Sequence, residues 1–392
     1  MAVSLEKIYY SAIRKYNMEL IAGKNGIWSS VNWIHIVEDF GFADFLKGQE
    51  LVIITGVKQN SEKKLLEYAK TLHDRQIAGI IFNIGPYIEK IPESVIEYGN
   101  SVDLPMMTLP WTVYLVDFNH EYCRMIIEHE QKEQNLCSAY KNAIFRSEDS
   151  ESYIPTLKRE MISLSEKYCM LKFLPEVEDK EKDLTKQYIL IRRYFERVIN
   201  RHQLGGSKYV IFRSDEYITI ILPNINYETA ENVLKECSEF GQWTEVKGKL
   251  YAAMSNSNLM LEDLRSRYDV LTYMLKLNKR HDRTLYTWNQ LGGWKLIFSI
   301  GDRESLIEYK NDIIGELETY DANNKESYCN MLNLYLEKDG NMNDVATELF
   351  IHRNTVSYHL KKIEEILKCD LYSEKNRTEL YMALRIKEIL EL

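Results

Sequence analysis

A chain of 392 residues exceeds what one compact domain usually holds, so two or three domains are expected. Apolar residues make up 45 %, enough for real cores, while seven prolines and 17 glycines leave little room for long disordered linkers. The formal net charge of −9 excludes a uniformly basic coat protein but leaves DNA binding open, because a local basic face suffices.

In chain order, residues 1–130 alternate between strand-like and helix-like patterns. "ELVIITG" (Glu50–Gly56) is a short apolar run ending in glycine, the pattern of a buried parallel strand. "SEKKLLEYAKTLHDRQ" follows with Ser61 as a cap and Leu65, Leu66, Ala69 and Leu72 at helical spacing. "IAGIIFNIG" predicts a second strand, "PESVIEYGN" a second helix and "LPMMTLP" a third strand. Strand, helix, strand, helix, strand with short links implies a right-handed α/β layer. From Val113 some 30 residues are helical, as one helix or two. Leu115, Phe118, Tyr122, Met125 and Ile126 form a stripe that has to pack on its own domain or on a second subunit.

A second unit runs from about Tyr153 to Leu291. "TLKREMISLSEKYCMLKFL" reads as helix then strand, and "YVIFRSDEYITIIL" (Tyr209–Leu222) as two strands around a tight polar turn. "TAENVLKECSEF" is helical, "GKLYAAMS" strand-like and "LMLEDLRSRYDVLTYMLKLNK" a long helix, so this unit is α+β. Residues 292–324 read as a helical connector, and 325–392 as all-helical.

The strongest pattern is "NMNDVATELFIHRNTVSYHLKKIEEIL" near the C-terminus. A helix-turn-helix needs a small residue where its helices cross closely, and Ala346 supplies it. Val345, Leu349, Ile351 and Val356 sit where two such helices seal, and Val356, Leu360, Ile363 and Leu367 continue the stripe. The other face presents His352, Arg353, Asn354, Thr355, Ser357, Tyr358 and Lys361, donor-rich side chains of the kind that contact base edges and phosphates. His352–Lys362 holds Arg353, Lys361 and Lys362 and no acid. Phe350 stands in the turn where glycine is common, so that turn must differ in shape or Phe350 must pack under the helices.

The segment "LNLYLEKDGNMNDVATELFIHRNTVSYHLKKIEEILKCDL", with its "HRNT" at His352–Thr355 and the later "ELYMALRI", resembles the C-terminal domain of the PucR/CdaR family, regulators of purine catabolism and of sugar-diacid use. "LKGQELVIITG", "IAGIIFNIG" and "LPMMTLP" look like the PucR-type sensor domain, and "LEDLRSRYDVLTYMLKL" like the degenerate GGDEF-like domain of those regulators. The resemblance implies a C-terminal domain that binds DNA and upstream domains that respond to a metabolite, most often to activate.

A GGDEF-like domain raises a rival function, cyclic dinucleotide synthesis. Active cyclases need glycines that let backbone approach the nucleotide and carboxylates that hold magnesium. Here the hairpin reads Arg213-Ser214-Asp215-Glu216-Tyr217, and the first strand, "YCMLKFLPE", offers no Asp. No Walker loop, HExxH or GxSxG element is present. The six cysteines, Cys123, Cys137, Cys169, Cys237, Cys329 and Cys369, form no CxxC pair. No catalytic residue, metal or cofactor is therefore expected. "MAVSLEKIYY" is interrupted by Glu6 and Lys7, and "IAGIIFNIG" is about half the ~20 residues of a membrane helix, which predicts a cytoplasmic protein with no membrane partner.

In parallel α/β sheets ligands bind at the carboxyl ends of strands. That places effector-binding candidates at Thr55, Gly56, Asn83, Gly85 and Thr108, with Tyr87 and Trp111 able to stack on a planar ring. The expectation is a multidomain α/β and α+β protein: a sensor over 1–130 with a connecting helix to about 150, a GGDEF-like domain over 151–291, the connector, and a helix-turn-helix domain over 325–392. It would be a metabolite-responsive regulator of a catabolic operon, with an operator duplex and a small-molecule effector as partners. A homodimer is expected, because one recognition helix covers only a half-site. The alternative is a regulator whose upstream domains bind a protein partner.

Overall fold

The computed structural model describes residues 3–38, 40–56, 61–177, 184–204, 208–239, 248–300 and 302–391. The chain divides into two units, Met1–Thr287 and Trp288–Leu392. Among the described residues no helix is long and apolar enough to cross a membrane.

The first unit opens with strand β1 (Val3–Ser4) and helix α1 (Leu5–Tyr16), which Ser4 caps by accepting the Lys7 N–H at 3.3 Å. Strands β2 (Glu19–Ala22), β3 (Ser30–Val31), β4 (Trp33–Val37) and β5 (Glu50–Ile54) follow. Then come α2 (Glu62–Asp74), β6 (Gly79–Ile84), α3 (Glu93–Ser101) and β7 (Met106–Pro110). Five strands make one sheet in the order β2-β7-β6-β5-β4, with β4 to β7 parallel and β2 antiparallel on the edge. The three runs legible in sequence are its centre; β2 and β4 are additions that the sequence reading lacked.

Both faces of this sheet are covered, which is why its central strands are mostly apolar, with Asn83 and Thr108 as polar interruptions. Leu51, Ile53 and Ile81 pack on α1 and on the start of α4 (Leu115–Phe145), while Val52, Ile54, Ile80 and Phe82 pack on α2 and α3. α4 is one continuous helix. Its stripe packs on its own domain: Phe118, Tyr122 and Ile126 are buried in the first core, and no second subunit is needed to cover them. The far half of α4 serves the next lobe, where Tyr140 meets Tyr168 edge-on at 5.7 Å and Phe145 meets Tyr268 at 5.1 Å.

That lobe comprises α5 (Ile154–Arg159), β8 (Tyr168–Val177), α6 (Leu184–Arg201), β9 (Val210–Ser214), β10 (Tyr217–Pro223), α7 (Tyr227–Ser238), β11 (Gly248–Met254), α8 (Leu264–Arg280) and β12 (Leu285–Thr287). The helix expected over "TAENVLKECSEF" is α7; its last residue, Phe240, lies outside the described residues. The sheet order is β12-β11-β8-β10-β9, with β8 antiparallel to both neighbours. From β8 to β11 this is the βαββαβ plan of a split, ferredoxin-like sheet. Phe195, Val198 and Ile199 of α6 and Val233, Leu234 and Cys237 of α7 cover one face.

The second unit contains α9 (Trp294–Ser299), α10 (Arg303–Asn324), α11 (Tyr328–Glu337), α12 (Met342–Glu348), α13 (Arg353–Leu367) and α14 (Glu374–Leu390). α10, in the stretch read as a connector, buries Ile314 and Leu317 in the same core as Leu332, Val345, Val356 and Leu380. The Asp321 carboxylate at its end accepts the N–H groups of Tyr328 and Cys329, both at 2.9 Å, and so starts α11.

Candidate nucleic-acid interface

α12 and α13 form the helix-turn-helix from the inside out. Val345 and Val356 are fully buried, Ala346 is 8 % exposed, and Leu360 and Ile363 carry the seam along α13. The turn is a Schellman closure: the Ile351 N–H donates to Ala346 O at 3.0 Å and the Phe350 N–H to Thr347 O at 3.3 Å. This geometry puts Phe350 at the position that favours glycine, with φ of 54°, and leaves its ring 95 % exposed. The alternative of a Phe350 packed under the helices is therefore wrong; the left-handed backbone aims it at solvent. Phe350→Gly is expected to raise the stability of this unit by up to about 1 kcal/mol, since a left-handed non-glycine residue costs that order. A lowered melting temperature would instead show that the ring makes a stabilising contact.

The opposite face of α13 is open. His352, Arg353, Asn354, Thr355, Tyr358 and Lys361 are exposed and Ser357 is half-buried. Arg353 and Lys361 make no ion pair or hydrogen bond among the described residues, whereas Lys362 is engaged by Glu365 at 2.8 Å. His352 caps the helix: its Nδ1 accepts the Asn354 N–H at 3.2 Å. A neutral ring then carries its proton on Nε2, an outward donor at the helix N-terminus, where backbone N–H groups already favour an anion. Capping was not evident from the sequence, since histidine is not among the common capping residues.

In the middle lobe the Asp215-Glu216 turn is tight, with Asp215 at φ of 54° and its carbonyl accepting from Arg213 Nε at 2.8 Å. On the neighbouring β8 stands Lys172. It is fully buried, with Nζ 3.2 Å from the Tyr268 ring centre and 4.4 Å from that of Tyr217. Among the described residues no cluster of three or more His, Cys, Asp or Glu is arranged to hold a metal ion.

The strand-end candidates of the first sheet are drawn together but are engaged with one another. Asn83 is buried and donates to the carbonyls of Leu109 and Pro110 at 3.2 and 3.3 Å. Gly85 makes room for Trp111, whose Cβ lies 2.6 Å from where a Gly85 side chain would begin, and Gly56 (φ of 73°) makes room for Ile88. These glycines admit protein side chains, whereas the sequence reading gave that space to a ligand. Thr55 is buried with an unpartnered hydroxyl, and Thr108 is half-buried on β7. Tyr87 and Trp111 meet edge-on at 5.6 Å and remain about two-fifths exposed, at 42 and 43 %.

Comparison with known proteins gives two matches to families. Residues 10–126 match the purine catabolism regulatory protein-like family, and residues 328–386 match the PucR C-terminal helix-turn-helix domain. Three relatives come from Bacillus subtilis (strain 168). The proline-responsive transcriptional activator PutR is 24 % identical over 166 residues, 42 % of this chain and 40 % of that protein. The DNA-binding transcriptional activator AdeR is 25 % identical over 128 residues, 32 % of this chain and 30 % of that protein. The purine catabolism regulatory protein is 28 % identical over 127 residues, 32 % of this chain and 24 % of that protein. The chain thus matches less than half the length of each, and all three are named as regulators, none as an enzyme.

Proposed function

We propose that this chain, which carries a PucR-type domain near its N-terminus and a PucR-type helix-turn-helix near its C-terminus, is a metabolite-responsive, DNA-binding transcription regulator. The carrying observation is the open face of α13, donor-rich, free of acid from His352 to Lys362, and laid over a sealed two-helix core. Arg353, at the first turn of α13, is positioned to reach guanine, Asn354, Ser357 and Tyr358 to reach base edges, and His352, Thr355 and Lys361 to hold phosphate. Two copies reading a two-fold site would supply both half-sites, so the working form is a homodimer.

The relatives that are named activators support activation of transcription as the direction of control, which we read as acting on a catabolic operon. The middle lobe, with its βαββαβ order and a hairpin without glycine, is read as a GGDEF-like domain that has lost nucleotide chemistry and serves as a spacer between sensor and reader. Exposed Tyr114 and Val116, 81 and 77 % accessible beside Trp111, favour a second reading in which the first domain also contacts a protein partner.

Arg353→Ala is expected to weaken binding to DNA from the protein's own upstream region by ~1–3 kcal/mol at fixed salt, with a relaxed base preference. Full affinity in that titration would show that α13 does not present this end to the bases.

A further inference from the structure

α6 lies against the first lobe along Arg193, Arg197 and Arg201, spaced four apart and therefore on one face of the helix. Arg193 donates to the carbonyls of Lys47 and Gly48 at 3.1 and 3.4 Å, with the Glu50 carboxylate acting on it. Arg201 pairs with Glu236, which also engages His202 at 2.9 Å. Arg197 is different. It makes no hydrogen bond or ion pair among the described residues, and its side chain is open to solvent within a cavity of about 550 Å³. The far wall of that cavity is Ser29, Ser30, Gln49 and Gln76 of the first lobe. Ser30 is 4 % exposed, yet its hydroxyl has no hydrogen-bond partner among the described residues. The lobes are already tied at this border, since buried Asn200 of α6 donates to Trp28 O at 3.1 Å.

A cavity of this size, with convergent polar groups and a guanidinium that no carboxylate among the described residues holds in a close ion pair, is a ligand site in physical terms. Partial enclosure by the cleft walls, and Arg201 nearby, push the Arg197 guanidinium below its usual range, against the pull of Tyr194 and Asp103. We propose that this cleft binds a small organic monocarboxylate, gripped bidentately by the Arg197 guanidinium and bridging the two lobes. A guanidinium fork matches the plane of a carboxylate. Charge limits the ligand to one negative charge at most: Arg193 and Arg201 are opposed by Glu50 and Glu236, and Asp103 near Arg197 and Glu239 on the lining both weigh against a dianion. The site lies where β5 and β6 begin, at the opposite end of the sheet from the strand-end candidates.

The proposal deepens the metabolite-responsive reading and rests on it only for the consequence at DNA. Its test therefore reads ligand binding on the full chain without DNA. Benzoate, lactate and inorganic phosphate are titrated by calorimetry and by thermal shift. At least one of the two carboxylates should bind at millimolar concentration and raise the melting temperature, and should bind better than phosphate. Arg197→Ala should weaken that binding about tenfold or more, the worth of one charged hydrogen-bonded contact, and Arg197→Lys should not restore it. Since Arg197 is open to solvent and unpaired, the ligand-free melting temperature of Arg197→Ala should match wild type, which separates loss of the site from loss of the fold. The assignment is overturned by failure of both carboxylates to bind, by binding indifferent to Arg197→Ala, or by tighter binding of phosphate. An unchanged DNA affinity on carboxylate addition, with binding intact, would instead count against the regulator reading.

Discussion

Arg385→Ala is expected to destabilise the C-terminal unit by about 3 kcal/mol or more. The guanidinium belongs to α14 and its side chain is 8 % exposed. It donates to Glu337 at 2.6 Å and to Asn333, both on α11, and to Glu388 of its own helix at 2.9 Å. It also lies over the Tyr381 and Trp294 rings, 4.8 and 5.7 Å from their centres. Truncation removes packing, takes the Arg385 cation from the half-buried Glu388 (13 % exposed), and unties α14 from α11. Glu337, 38 % exposed, is screened by water and adds less, which holds the expectation at the low end of the buried-pair range. For a unit of roughly 100 residues, ~3 kcal/mol lowers the melting temperature by about 12–24 °C. Calorimetry should show the transition of residues 288–392 moving while that of the α/β unit stays, and DNA binding should vanish once the first is passed. A shift under about 4 °C, that is about 1 kcal/mol, would show the cluster to be solvent-screened.

What could be read from the sequence follows from how local each feature is. Leu51–Ile54, Ile80–Phe82 and Met106–Leu109 stand out because strands covered on both faces are apolar at nearly every position, Thr108 being the exception. β4 escapes because Trp33 and Ile36 are exposed while Ile34 and Val37 are buried, and β2 because an edge strand of four residues carries hardly any pattern. The helix-turn-helix was legible because its determinants fall within one short stretch, from Val345 to Ile363. The Schellman position of Phe350 was not, because a side chain says little about a left-handed φ that the neighbouring helix imposes. Least legible was the arginine cleft. Arg193, Arg197 and Arg201 read as an ordinary solvated helix face, and only the fold brings Ser30 and Gln76 to them across more than a hundred residues.

The stability of the α/β unit is expected to climb as pH rises from 7 to 9, and Lys172→Met should abolish that climb. Lys172 sits at the centre of the second sheet, on β8 opposite Thr219, fully out of water. Its Nζ donates to Tyr268 O at 3.4 Å and to the Thr272 hydroxyl, partners that suit an amine as well as an ammonium. Burial pushes its pKa down to about 7, against the pull of Asp269 and Asp215. An unfolded lysine titrates near ~10.4. Below pH 7 both states hold the proton and the folded state carries the whole burial cost. Between the two values the unfolded state binds one proton more, so stability rises with pH by about 1.4 kcal/mol per unit and levels off near ~10. From pH 7 to 9 wild type should therefore gain about 2–3 kcal/mol relative to Lys172→Met. At pH 6 the methionine variant should be the more stable protein, because a long apolar chain fills the same space without a buried charge. Urea unfolding of both proteins at pH 6, 7, 8 and 9 gives the difference directly. A difference that stays flat would mean that the Tyr217 and Tyr268 ring faces keep the ammonium charged throughout. The amine would then be a permanent cation behind the Asp215 turn.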